Sequence, residues 1–568
     1  MQEKRLDTKK IFCLLLLLAA FVFASEDSNK QFATRIFLNG NVWTAEVQRP
    51  RAEAIAIHED KILAVGSNKA IEELRKENTE VVDLRGSFVS PGFNDAHIHF
   101  LVPDQVEIEE SDSLETIQSK ITDYARTHSG PWIIGRGWGY ASFPEKKPYR
   151  KYIDQVLADK PVLISERDGH MALANSKALE LAGITAATPD PEHGRIVRGD
   201  DGEPTGELQE SAIDLVEKLV PDPSQDDLYR ALRKLLGRAA SYGLTSVQNA
   251  SFQEKELAVF DRVLAENALT VRFYWAIPFR SGYTRKELDR YKSLAQKYPS
   301  HLMKFGAAKG MLDGVVDAQT AAMFEPYTTG KNGILMWKQE DLFRTAELYD
   351  REGFQILLHA IGDKAIDLAL DAYEHVAKVN GKRDRRHRVE HIEVPRLQDV
   401  ARFKQLGVIA STQAMFASPD KTTLENYDPL LGPERASHAN AFGIFDDAGA
   451  VQAFGSDWPV FTMETLKGMY AAVARKTPEG NPPEGHYPQH RISVEAALRH
   501  FTIDAAYASF DENVKGSITP GKFADFVVLS ENILQSPPER LLQAKVLLTV
   551  MGGKDTYRAE KSPLAAIP

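Results

Sequence analysis

The stretch "PGFNDAHIHF", residues 91–100, decides how the rest of the chain is read. His97 and His99 stand two apart, so on a strand both imidazoles point to the same face. Two histidines at that spacing are weak evidence of a ligand pair. At the C-terminal end of the first strand of a barrel they weigh far more, because barrel chemistry sits on that rim. The rest of the chain must therefore show whether a barrel is present.

Working outward, "SFVSPGF" (87–93) leads into the pair and reads as the first β-type run. Seven more follow: "LTSVQNA" (244–250), "LTVRFYWAI" (269–277), "LMKFGAA" (302–308), "FQILLHA" (354–360), "HRVEHI" (387–392), "GVIASTQ" (407–413) and "VQAFGSD" (451–457). Between them lie stretches such as "DDLYRALRKLLGRAASY" (226–242) and "QEDLFRTAELYDREG" (339–353), with apolar residues at helical spacing. The alternation predicts an α/β chain with a (β/α)8 TIM barrel over residues 91–519. An open doubly wound sheet is the rival, disfavoured because no Gly-rich phosphate loop follows the first run.

Both chain ends are strand-rich. Residues 32–90, with a hairpin signal at Asn39-Gly40, and residues 520–560 are expected to build one composite β-sandwich domain. Residues 105–235 are too long for a loop between the first and second runs and predict an inserted subdomain.

The first 25 residues read as a signal peptide. Lys4, Arg5, Lys9 and Lys10 precede an apolar run from Ile11 to Phe23, shorter than the ~20 residues that a membrane span needs. The expectation is a periplasmic or secreted protein with no stable membrane span after cleavage. The single cysteine, Cys13, lies in that run, so a mature chain has no thiolate and any metal falls to His, carboxylate or a modified lysine. The net charge of −11 excludes a nucleic-acid role, which needs clustered Lys and Arg. A homo-oligomer is left open, and a small molecule is the expected substrate.

Further candidates stand at the other run ends: Lys304 on the fourth, His359 on the fifth, His391 on the sixth and Asp457 on the eighth. Each has a bland reading alone, as a core histidine, a helix cap or a lysine reaching water. Together they supply the ligand types that zinc and related divalent metals use.

The motifs "PGFNDAHIH", "DGHMALANSKAL" (168–179), "GEPTGEL" (202–208), "HAIGDKAID" (359–367), "VEHIEV" (389–394), "FGSDWPV" (454–460) and "GSITPGKFADFVVL" (516–529) resemble the amidohydrolase superfamily. Within it they are similar to the YtcJ-like branch, which includes N-substituted formamide deformylase. The resemblance implies that His97, His99 and Asp457 bind one metal and that His359 and His391 bind a second. It also implies a bridging carbamylated lysine, matched to Lys304, with Lys309 as rival because Asp313-Gly314 arrives later than the branch pattern expects. One or two metal ions, zinc by preference, would activate water. Asp457 would act as base and then acid. His170 would contact the substrate carbonyl, and Asn175, Gln413 and Trp458 would be substrate-binding. The implied reaction is hydrolysis of a non-peptide C–N bond in an amide or an N-acyl or N-formyl amine. The competing readings are a mononuclear deaminase of a cyclic amidine and an exported binding protein with an inactive site.

Overall fold

The computed structural model describes residues 31–109, 112–128 and 130–567; the signal-peptide reading of residues 1–25 lies outside them. Eight parallel strands form one sheet in chain order: β1 (Phe93–Ile98), β2 (Leu244–Asn249), β3 (Arg272–Pro278), β4 (Met303–Met311), β5 (Gln355–Ala360), β6 (Arg388–His391), β7 (Ile409–Gln413) and β8 (Gln452–Gly455). Every residue of β1, β2 and β5 is buried, as expected of parallel strands packed on both faces. The sheet curls until its ends meet. Asp457 N donates to His97 O and His99 N to Trp458 O, both at 2.8 Å. Only glycine fits at 455 against this seam, since a Cβ there would lie 2.5 Å from His97 N.

Helices wrap the barrel where the apolar spacing predicts them. The helix Gln225–Ser241 is capped by Ser224 and buries Leu228, Leu232, Leu235, Leu236 and Ala239 against the core.

Two sequence expectations need correction. "SFVSPGF" is not a barrel strand: Phe88–Pro91 pairs with Asn41–Trp43 and Phe526–Leu529 in a separate sheet, and the chain turns at Gly92 into β1. Gly92 is tightly enclosed, because a Cβ would meet Thr245 Oγ1 at 2.2 Å. Asn39-Gly40 does not close a hairpin either. Arg35–Leu38 and Asn41–Trp43 go to different sheets, and the Asn39 amide is held by Asp83 instead.

The two chain ends share sheets. A six-stranded sheet joins Phe526–Leu529 to Phe88–Pro91, and a five-stranded one joins Ala565–Ile567 to Glu80–Asp83. Between β1 and β2 the chain builds another six-stranded sheet from strands between Val106 and Glu210. Among the described residues no helix is long and apolar enough to cross a membrane.

On the outer helices His500 is clamped between Asp504 (Nδ1–Oδ2 2.9 Å) and Asp446 (Nε2–Oδ1 3.2 Å). Burial opposes its charge, but the two carboxylates outweigh it and push its pKa up to about 9. The folded value lies above the unfolded one of about 6.5, so this clamp stabilises fully below that pH and is lost as pH rises through 9. Chemical denaturation of the wild type and of His500→Gln across this window is expected to show a steeper loss of stability with pH in the wild type. Parallel profiles would contradict the clamp.

Candidate metal centre

The C-terminal rim of the barrel gathers the histidines. His97 sits within β1 and His99 one step beyond its end, while His359 and His391 close β5 and β6. Asp457 follows β8 by two residues. His391 and Asp457 adopt φ of 74° and 56°, a left-handed backbone that non-glycine residues accept only where surrounding structure enforces it. In both cases the chain turns sharply off its strand and keeps the side chain over the barrel mouth.

Asp457 lies at the centre of the group. Its Oδ1 is 3.4 Å from His97 Nε2 and 3.3 Å from His99 Nε2, and its Oδ2 is 3.8 Å from His391 Nδ1. Neighbouring ring centroids are 5.5 Å apart for His99 and His97, 4.8 Å for His97 and His391, 4.5 Å for His391 and His359, and 5.6 Å for His359 and His170. His97 Nε2, His391 Nδ1 and Asp457 Oδ1 are buried and make no hydrogen bond. Buried polar atoms are rarely left so. Ligand atoms of His97, His99 and Asp457 lie within 4.8 Å of one another, so these residues fit a divalent ion.

The protonation states agree with that fit. Burial, aided by the Lys309 charge, holds His97 well below the ordinary histidine pKa, and burial with neighbouring cationic groups does the same for His359 and His391. Neutral imidazole is the ligating form. Burial works against the charge on Asp457, but the nearby imidazoles outweigh it and keep its pKa below the usual carboxylate value.

A buried network underneath orients His97. Its Nδ1 donates to Glu390 Oε2 at 2.5 Å, leaving Nε2 to face Asp457. Glu390 is gripped in turn by Arg388 (2.7 and 3.0 Å) and Ser411 (2.6 Å), and Arg388 also bonds Gln248 and Ala96 O. Carboxylates behind ligating histidines fix tautomer and ring orientation. Glu390 stands in "VEHIEV" one residue before His391, and the sequence reading passed over it.

His170 reaches the rim from the inserted sheet. Its Nδ1 pairs with Glu210 Oε2 at 2.9 Å, and Glu210 Oε1 accepts from Thr320 Oγ1 at 2.7 Å. The ring's Nε2 side is thereby left for the site. Asp313 is fully buried and accepts backbone N–H groups from Ile361, Gly362 and Ala322, tying the loop after β4 to the end of β5. Gly314 is tightly enclosed beside it, because a Cβ would meet Thr320 Oγ1 at 2.1 Å and Glu210 Oε1 at 2.4 Å.

Lys304 is not at this site. It is the second residue of β4, and its Nζ donates to Ser509 O at 2.7 Å and pairs with Asp511 at 2.8 Å on the opposite rim. The run "LMKFGAA" was read too short: β4 continues to Met311, and Lys309 is the lysine near its C-terminal end. The Lys309 ammonium has no hydrogen bond or ion pair among the described residues. Burial lowers its pKa, against attraction from Glu390 and Asp457. Lys304→Met is therefore expected to keep kcat/KM within about threefold, and Lys309→Met to lose more than about a hundredfold. Steady-state kinetics on both variants checks the assignment, and the reverse ranking would refute it.

Asn175 is not a substrate-binding residue. It caps the helix Ser176–Ala182, its Oδ1 accepting from Ala178 N and Val162 N while its Nδ2 donates to Leu157 O and Lys160 O. Those bonds use its whole capacity. Gln413, at the end of β7, is 1% exposed with both amide atoms unpartnered, and Trp458 presents an unpartnered Nε1 beside Asp457. Both retain hydrogen-bonding capacity at the rim.

A (β/α)8 barrel with a candidate metal centre at its C-terminal rim is the framework of a barrel hydrolase. The sequence pattern of the amidohydrolase family matches residues 80–557, and this chain belongs to that family. Arabidopsis thaliana LONG AFTER FAR-RED 3 is 33% identical over 546 residues, 92% of each chain. YtcJ of Bacillus subtilis is 29% identical over 538 residues, 93% of this chain and 99% of that one. N-substituted formamide deformylase of Arthrobacter pascens is 28% identical over 545 residues, with the same coverage of 93% and 99%. A solved structure of an uncharacterized metal-dependent hydrolase from Pyrococcus furiosus shares the fold, with a TM-score of 0.68 at 24% identity over 88% of this chain and 100% of that chain.

Proposed function

We propose that this chain is a metal-dependent amidohydrolase that cleaves a non-peptide C–N bond, in an amide or an N-acyl or N-formyl amine, of a small molecule. The observation that carries this reading is the unpartnered set of His97 Nε2, His391 Nδ1 and Asp457 Oδ1 at the barrel rim. The formamide deformylase name belongs to a relative at 28% identity, so it supports the class of bond and not a particular substrate.

In this reading His97, His99 and Asp457 hold a first ion, zinc by preference, and His359 and His391, with Lys309, offer a second position. A bound divalent ion supplies Lewis acidity and lowers the pKa of a coordinated water. The remaining work is done by side chains. Asp457, kept charged by its imidazole neighbours, accepts the proton of the attacking water at a carboxylate oxygen and returns it to the departing nitrogen. His170, anchored through Nδ1 on Glu210, directs Nε2 at the substrate carbonyl. Gln413 and Trp458 offer hydrogen bonds to the rest of the substrate.

The compact three-ligand cluster also favours a one-ion form of the same chemistry. The test combines a panel of N-formyl and N-acyl amines with chelation. Activity should vanish on chelation and return with zinc or another divalent ion, and metal analysis of the restored enzyme gives the count. Full turnover by a chelated, metal-free preparation would end this reading.

A further inference from the structure

One cation of the inserted sheet, within the electrostatic reach of Asp457, has no partner for its terminal nitrogens. Arg136 lies on the strand Ile133–Trp138 of the inserted sheet. Its Nε donates to Arg167 O at 2.9 Å, which fixes the guanidinium against the segment that carries His170. Gly169, at φ +82°, makes room: a Cβ there would lie 3.1 Å from Nη2 and 3.3 Å from Nη1. Among the described residues neither Nη1 nor Nη2 makes a hydrogen bond or ion pair.

The charges facing it explain why the fork stays open. Burial weakens the Arg136 charge, and of the groups that sustain it Asp457 acts most strongly, ahead of Glu166 and Asp168. Asp168 is already paired with Arg167 at 3.1 Å. Glu166 accepts from Asp168 N, and burial pushes its pKa well above the usual carboxylate range. That leaves Asp457, whose charge the proposed ion would take up. A largely enclosed guanidinium with an open fork suits a planar oxyanion, which it can grip with two hydrogen bonds.

We propose that Arg136 receives a carboxylate of the substrate, so that the amides or formamides this enzyme cleaves carry a carboxylate on their substituent. The proposal rests on the hydrolytic reading above. Aromatic rings stand beside the centre for a group next to that carboxylate: Phe416 stacks 6.2 Å from His391, and Phe461, with the Arg167 guanidinium 4.5 Å from its ring, lies 5.0 Å from Phe416.

N-formylphenylalanine and N-formyl-2-phenylethylamine differ only in the carboxylate. The wild type is expected to prefer the acid by about tenfold or more in kcat/KM, the scale of one charge-assisted pair. Arg136→Gln should collapse that ratio to within about threefold, and Arg136→Lys, which keeps charge but not the fork, should fall between. Because the ratio compares two substrates on one protein, partial loss of folded enzyme does not affect it. No preference in the wild type, or an equal fall for both compounds in Arg136→Gln, would overturn the proposal; the latter would make Arg136 a stabiliser of charge at the scissile carbonyl. If neither compound is hydrolysed, the hydrolytic reading fails for this pair, and calorimetry on zinc-loaded protein still decides. Binding of N-formylphenylalanine that Arg136→Gln weakens about tenfold or more supports the proposal. Equal binding to both proteins, or none, overturns it.

Discussion

Asp457→Asn is expected to lower kcat/KM by more than about a thousandfold while leaving the fold intact. The substitution keeps size and shape at a position where the backbone is already forced into φ 56°, so the turn off β8 should survive. What it removes is the charge at the middle of the site, faced by His97, His99 and His391 within 3.3–3.8 Å. An amide cannot accept and return a proton at that point. His97 and His99 remain, so most of the metal should remain with them. Kinetics, metal analysis and thermal unfolding on one preparation separate these effects. Residual activity above about a tenth of wild type would remove Asp457 from the chemistry, given what loss of an acid–base group ordinarily costs.

Glu390→Leu should produce the largest loss of stability, about 3–5 kcal/mol. Glu390 and Arg388 are both fully buried, and the carboxylate is Arg388's only charged partner among the described residues. Removing it strands a guanidinium inside the barrel. The same change frees His97 Nδ1 and releases the ring's orientation, so metal affinity should fall by about ten- to a hundredfold in addition. Glu390→Gln keeps an acceptor and should lie between wild type and Leu in both respects. Denaturant unfolding and competition with a chelator of known affinity give the two quantities. Wild-type stability in the Leu variant would show that the network does not hold the site together.

Much of this was legible in the sequence because barrel strands end where their chemistry begins. The HxH spacing, the alternation of strand and helix and the run ends at His359, His391 and Asp457 carried both the fold and the convergence of the rim. Legibility failed where the signal depended on strand length or on pairing. The apolar run that contains Lys304 stops at Ala308, yet β4 continues through Lys309 and Gly310 to Met311, and a lysine followed by a glycine hides the strand pattern. "SFVSPGF" has strand chemistry but belongs to another sheet, a tertiary choice that no local pattern encodes. Glu390 and Glu210 look like ordinary carboxylates until the fold places each behind a histidine. A carboxylate two residues after an arginine on a buried strand, as in "RVEH" (388–391), was the available clue to the first. Arg136 stands in "IIGRGWGY" (133–140), where no local pattern marks it out.

The most direct test of the central claim, that this rim holds a divalent ion, is anomalous X-ray scattering from crystals of the active enzyme. A peak is predicted within about 2.0–2.3 Å of nitrogens of His97 and His99 and an oxygen of Asp457. Crystals of fully active protein with no peak among these side chains would contradict it.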